Sequence, residues 1–155
     1  MAADLTKPVQ AALIEELEEL RDALVQAIEP LTDEQLWRKP IEPGNSIGHL
    51  LLHLTGNLNH FVGAQLGKTG YIRDREREFT ESSPPARAEV LAKLNEAVAT
   101  FRRVVAGLTA DDLLKTHPET KFGSTVKTLV HLVAHFALHR GQISYLSRLV
   151  ASSTV

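Results

Sequence analysis

Apolar residues recur along most of the chain at intervals of three and four, the period of a helix with one buried face. In the first such stretch Leu13, Leu17, Leu20, Leu24 and Ile28 make one stripe, while Glu15, Glu16, Glu18 and Glu19 crowd the other side. The spacing predicts an amphipathic helix that follows Pro8 and ends near Pro30, with its acidic face in solvent. Thr32 can cap the short segment DEQLWRK, and PIEPGN beyond it is too rich in Pro and Gly to stay helical.

A second long helix is predicted from Ser46 to about Leu66. One face holds His49, His53, Asn57 and His60 with Leu50, Phe61 and Ala64; Ile47, Leu51, Leu54, Leu58 and Val62 form another apolar stripe nearly opposite. A helix facing one core needs only one stripe, so the second predicts a subunit contact and a homodimer, with full burial inside one chain as the alternative. From Gly67 to Pro85 the period is lost in YIRDREREFTESSPP, a connection whose charges are expected in solvent and whose length allows a crossover between distant ends of a bundle. Ser83 or a neighbour then caps a third helix striped by Val90, Leu91, Leu94, Val98, Phe101 and Val105, ending near Gly107. LTADDLLKT makes a short helical turn, HPETKFGS a loop, and Ser124 opens the fourth helix, TVKTLVHLVAHFALHRGQISYLSRLV.

No segment alternates as a strand would, so the expected fold is all-α: a four-helix bundle in one domain, 1–155, with its long connection between the second and third long helices. The halves echo each other. LTDEQL, a Pro/Gly loop, Ser46 and then His53 seven residues on are answered by LTADDL, a Gly loop, Ser124 and then His131 seven residues on. Two helical hairpins related by approximate duplication would pack as such a bundle.

Composition narrows the function more than the fold. Of 155 residues 43% are hydrophobic and 23% charged, with a net charge of −2, which gives no general attraction to nucleic acid or anionic lipid. MAADLTKPVQ lacks a basic start followed by an apolar run, and no uncharged stretch reaches membrane-spanning length, so a cytoplasmic location is expected, with no membrane contact. The absence of cysteine excludes disulfides, thiolate ligands and a protein thiol nucleophile, leaving imidazole and carboxylate as strong metal ligands. Sulfur chemistry would need a small-molecule thiol.

The candidate chemistry lies in the fourth helix, where His131, His135 and His139 recur at intervals of four. On a wheel centred on His135, the other two lie about 40° to either side, Gln142, Thr128 and Leu146 within about 20°, and Leu132 and Leu138 at about 60°. The histidine stripe is therefore expected to point inward, and Arg140 and Ser144 outward. Buried imidazoles need partners for both ring nitrogens, which a metal, a carbonyl, a carboxylate or a water can supply. One ion cannot take all three, because His131 and His139 are about 12 Å apart along the axis while metal–nitrogen bonds are about 2.1 Å. One i, i+4 pair is the natural unit, with the missing ligand coming from His49, His53 or His60 on the second helix. Three neutral imidazoles would leave positions open for water or substrate, the arrangement of a catalytic site; ordinary interior histidines are the plain alternative.

Supporting residues have two readings each. Asn57, one turn beyond His53, can orient a ligand or bond to backbone, and Gln142, three residues after His139, can steady it or serve helix packing. Trp37 and Tyr71 can line the pocket mouth or seal the core, and Arg140 can bind a carboxylate or be an exposed structural arginine. No carboxylate sits at a spacing that marks it as a general base.

NSIGHLLLHL at the opening of the second helix, HLVAHFALHRGQISYL in the fourth and LTDEQLWRKP before them carry a family likeness. Over most of its length the chain resembles the DinB/YfiT-like superfamily of metalloenzymes, the HRGQI element with a histidine four residues before it being the most specific part. The resemblance implies a four-helix bundle with a divalent ion, often zinc or nickel, in an open pocket at one end. It also implies His53, His135 and His139 as the ligands, with His131 as their neighbour or a pocket residue and His49 and His60 in pocket or surface roles. The internal repeat alone would pair His53 with His131; the family pattern selects the later pair. Known activities of that superfamily include S-transferases and isomerases using bacillithiol, mycothiol or glutathione. The expected function is thus a metal-dependent enzyme that activates a small-molecule thiol toward a small-molecule substrate, since a three-imidazole site keeps a 2+ charge able to lower the pKa of a bound thiol or water. The alternatives are a metal-dependent hydrolase and a non-catalytic, stress-associated metal-binding bundle protein.

Overall fold

The computed structural model describes residues 4–152, so the first three and last three residues, with the start of the N-terminal stretch read above for a leader, lie outside the described residues. The elements are α1 (Thr6–Ile28), α2 (Asp33–Trp37), α3 (Ile47–Leu58), a π-helical continuation (Asn59–Ala64), α4 (Arg77–Thr80), α5 (Arg87–Gly107), α6 (Ala110–Leu114), a 3-10 turn (Thr120–Phe122) and α7 (Thr125–Ser152). Among the described residues there is no strand, only an isolated bridge between Thr116 and Ser124. The all-α bundle follows from the periodicity.

One core joins the four long helices. Leu13, Leu17, Leu24 and Ile28 of α1 meet Val90, Leu94, Val98, Phe101 and Val105 of α5, and Leu129, Leu132, Phe136, Ile143 and Val150 of α7. Glu15, Glu16 and Glu19 are exposed as expected, and Glu18 pairs with Arg102 across to α5. Every residue of α3 except Leu52 is buried, as a helix apolar all round should be. Its second stripe, Ile47, Leu51, Leu54, Leu58 and Val62, is at most 1% exposed. This corrects the subunit contact expected there: the stripe is covered within the chain because α3 lies between α5 and α7 and under α4.

The connectivity departs from paired hairpins. α1 packs on α5 and α7, and α3 packs on the same two, so α1 and α3 lie across the bundle from one another. Each half crosses the bundle end through a short capped helix. Thr32 and Gln35 close a capping box on α2, and Thr109 and Asp112 close one on α6. α5 corrects a second expectation, since it begins at Arg87 without a side-chain cap, and Ser83 lies outside it in the stretch ahead of two prolines. Arg87 instead turns back to the end of α1 and donates to the carbonyls of Ile28 and Glu29 at 3.3 and 2.9 Å.

Candidate metal centre

His53 on α3 meets His135 and His139 on α7 where the two helices cross. The Nε2 atoms of His53 and His135 are 3.2 Å apart and those of His135 and His139 3.1 Å, and the three residues offer nitrogens all within 4.8 Å of one another. His53 is buried, while the α7 pair is half-buried, so the centre opens to solvent past α7. His131 does not join. It is exposed, its ring lies 4.8 Å from that of Phe122, and it stacks 6.3 Å from His135.

The wheel was off by a fraction of a turn. The buried face of α7 runs through Leu129, Leu132, Val133, Phe136 and Ile143, so the histidines sit on its border rather than at its centre. Leu138, expected inside, is 59% exposed, and Arg140 and Ser144, expected outside, are half-buried. Aliphatic side chains gain more from the dry centre than imidazoles, which leaves the rim to the polar stripe.

The outer nitrogens have their own partners. Gln142 Oε1 accepts from His139 Nδ1 at 2.7 Å, the steadying role read from its spacing. His53 Nδ1 lies 2.9 Å from Oε2 of Glu78, a buried carboxylate on α4. Arg73 grips the same carboxylate, Nε to Oε1 at 2.7 Å and Nη2 to Oε2 at 2.8 Å, with Nη2 also 3.3 Å from His53 Nδ1. Phe79 adds a ring 4.9 Å from that of His53. All three belong to the connection whose charges were expected in solvent. Its composition hides them, because Glu78 is one acidic residue in a run of mixed charges with no period to give it a face. The glycine at position 56 is the one local sign, since a Cβ there would stand 2.0 Å from Glu78 Oε1.

Electrostatics favour the neutral form of the α7 pair. Burial, reinforced by His139, His53, His131 and Arg73 nearby, lowers His135 to about 4, and burial also lowers His139. Burial alone would raise Glu78, but hydrogen bonds from Arg73 and His53 outweigh it and hold the carboxyl below its ordinary value.

Other candidates have structural duties. His49 Nδ1 takes the Ser46 hydroxyl at 2.7 Å at the start of α3, and its Nε2 faces the Glu81 carbonyl of the connection at 3.3 Å, so both nitrogens have partners away from the centre. Trp37 lies against Gly48, donates to the Pro85 carbonyl at 3.1 Å and meets the edge of His49, sealing α2 onto α3 rather than lining the centre. Asn57 is buried one turn beyond His53 and makes no side-chain hydrogen bond among the described residues. His60 bonds to Gln65. The fully buried His117 donates to the Phe61 carbonyl at 3.0 Å, a group the π-helical segment leaves free, and accepts from the Glu119 amide. A cavity of about 940 Å³ between the connection and α5 is lined by Tyr71, Glu78 and Thr100 but by none of the three histidines.

The donor set fits a divalent ion. Tetrahedral ligands at about 2.1 Å stand about 3.4 Å apart, close to the spacing here. Glu78 and Gln142 oxygens stand where they can accept from Nδ1 of His53 and His139; with the protons there, the Nε2 lone pairs would be bare and available to a cation. His135 Nδ1 is buried without a partner, so that ring has no competing hydrogen bond to turn it away.

Comparison with known proteins agrees. No curated protein matches the chain. A conserved protein from Enterococcus faecalis, 16% identical, shares the fold with a TM-score of 0.75 over 98% of this chain and all of that one. YfiT from Bacillus subtilis, described as a probable metal-dependent hydrolase with an unusual four-helix bundle topology, is 25% identical with a TM-score of 0.71, covering 90% of this chain and 86% of its own. Residues 12–151 match the model of the mycothiol-S-transferase family, and the chain therefore belongs to that family within the DinB/YfiT-like superfamily.

Proposed function

We propose that the chain is a divalent-metal-dependent S-transferase, with His53, His135 and His139 as ligands to zinc or nickel and a small-molecule thiol, mycothiol first among candidates, as cosubstrate. The observation that carries the reading is the convergence of three imidazoles at a centre open on one side. A bound ion supplies positive charge that favours thiolate over thiol. The chain's own part is to hold the donors: Glu78 fixes His53 and Gln142 fixes His139. With no cysteine in the protein, the attacking sulfur comes from outside. In the reaction the thiol gives up its proton, its sulfur bonds to an electrophilic carbon, and the leaving group departs with the electron pair.

The test is metal content after purification without chelators or affinity tags, together with a panel of mycothiol, bacillithiol and glutathione against a model electrophile. About one ion per chain and metal-dependent loss of one thiol are expected. The likeness to YfiT favours a second reading, metal-dependent hydrolysis; ester turnover with no thiol consumed would select it. A metal-loaded protein that turns over neither set would be a binding protein. No helix among the described residues is long and apolar enough to cross a membrane, and a cytoplasmic location belongs to this proposal. So does a homodimer, which would need a surface other than the covered stripe of α3; sedimentation velocity decides it.

A further inference from the structure

The charged connection between α3 and α5 supplies the most closely fitted group at the centre. We propose that Glu78 is the positioning residue of His53: it holds the imidazole as the Nδ1–H tautomer with bare Nε2 aimed at His135 and His139, and Arg73 locks it there. The Arg73–Glu78 pair lies within the connection and is complete in itself, with two contacts at 2.7 and 2.8 Å. Oε2 nonetheless lies 2.9 Å from His53 Nδ1, and the carboxylate is only 6% exposed, so the geometry serves the imidazole as well. A carboxylate can only accept there, and at 2.9 Å it lies nearer to Nδ1 than the Arg73 guanidinium, a pure donor whose Nη2 is 3.3 Å away, so the shorter contact puts the proton on Nδ1.

The seat is cut to size on α3. A Cβ at Gly56 would meet Oε1 at 2.0 Å and Cδ at 2.8 Å, with Arg73 Nε at 3.5 Å. The far end of a glutamate normally swings aside from such a clash. This one is pinned on both oxygens, so a methyl group at position 56 must push it off His53. Outer partners of ligating histidines typically change metal affinity by about 10–100-fold.

The affinity part of the proposal rests on the metal reading above; the tautomer part does not. Histidine-labelled, metal-free protein would be read by two-bond 1H–15N correlation, which distinguishes the tautomers, and the same samples titrated with zinc against a chromophoric chelator. In the wild type His53 is expected as Nδ1–H. Glu78→Gln keeps an acceptor oxygen and should keep that tautomer while losing about tenfold in zinc affinity. Glu78→Ala and Gly56→Ala should both lose the single tautomer and about 10–100-fold in affinity. Gly56→Ala retains Glu78 and Arg73 and favours helix, so it carries the test even where Glu78→Ala, which strands a guanidinium, does not fold. His53 remaining Nδ1–H with wild-type zinc affinity in either alanine variant would overturn the proposal, as would a wild type in which His53 is not Nδ1–H. A wild type that binds no zinc, yet loses the tautomer in Gly56→Ala, would sink the metal reading and leave Glu78 in its role.

Discussion

His53 and His131 stand at matching places in the two halves of the chain, and only one of them reaches the centre. Each follows a serine by seven residues, and each serine follows a capped short helix, α2 or α6. His53 is buried among Arg73, Glu78 and Phe79, whereas His131 is exposed with Phe122 as its near neighbour. The repeated pattern sets caps and turns in both halves. What differs is the connecting segment, which lays a carboxylate against α3 and nothing comparable against α7. On α7 the converging pair comes later, where the helix passes His53.

The largest way to break this contrast is to remove the imidazoles one at a time. His53→Ala, His135→Ala and His139→Ala should each cost more metal affinity than the ~10–100-fold typical of a supporting residue. His131→Ala should leave stoichiometric binding intact. Competition with a chromophoric chelator measures all four. Full occupancy in His139→Ala, with loss in His131→Ala, would move the site up the helix and restore the symmetry of the halves.

The same contrast extends to packing, because α3 is enclosed and α7 has a free side. At Gly48 of α3 a Cβ would lie 2.5 Å from the Trp37 ring, which is itself tied to Pro85 by its indole N–H. Gly48→Ala should therefore destabilise the protein by about 1–2 kcal/mol, overpacking outweighing the gain in helix propensity. Urea unfolding checks it, and a neutral or stabilised variant would mean that α2 yields freely.

How far the sequence could be read follows the same division. Helix periods, the Thr32 cap and the i, i+4 unit are local, so the bundle and a histidine pair on α7 were legible from spacing, whereas the family pattern was needed to select His135 with His139 over His131 with His135. Choosing His53 over His49 and His60 needed the family pattern, since all three share a face of α3. Glu78 was out of reach, because no periodicity orients a charged segment containing a single turn of helix. The subunit contact failed for a related reason: an all-round apolar helix reports burial without saying whether one chain or two supplies it.

A smaller test uses protons. His135 has an ordinary pKa of 6.5 and is lowered to about 4 in the fold, chiefly by burial. As pH falls below the upper value the unfolded chain binds a proton that the folded one does not, so stability is full above it and drains away toward the lower one. Metal-free protein should lose about 1 kcal/mol from this half-buried residue between about pH 7 and pH 5, solvent screening taking up part of the full shift. Asp112 is held at about 2 and Glu78 below its ordinary value, so these carboxylates contribute little in that window. His139, lowered in the same direction, adds to the slope. Urea unfolding at both pH values should give a shallower loss in His135→Gln; equal slopes would show that the imidazole is not shielded as its burial requires.

The smallest effect is the opposite of the second. Gly141 lies on the free side of α7, where a Cβ would meet nothing within 4 Å. It is an exposed glycine inside a helix of 28 residues, between Arg140 and Gln142. An alanine there loses less chain entropy on folding and no contact has to move, so Gly141→Ala should stabilise by about 0.5–1 kcal/mol. Zinc affinity should stay within about twofold, because position 141 points away from the histidine border while its neighbour Gln142 keeps its bond to His139. Against Gly48→Ala, the pair of variants reads the enclosure of the two helices directly. A destabilising Gly141→Ala would mean that something covers this side of α7 in solution, and a concentration-dependent melting temperature would then identify a second copy of the chain as the cover.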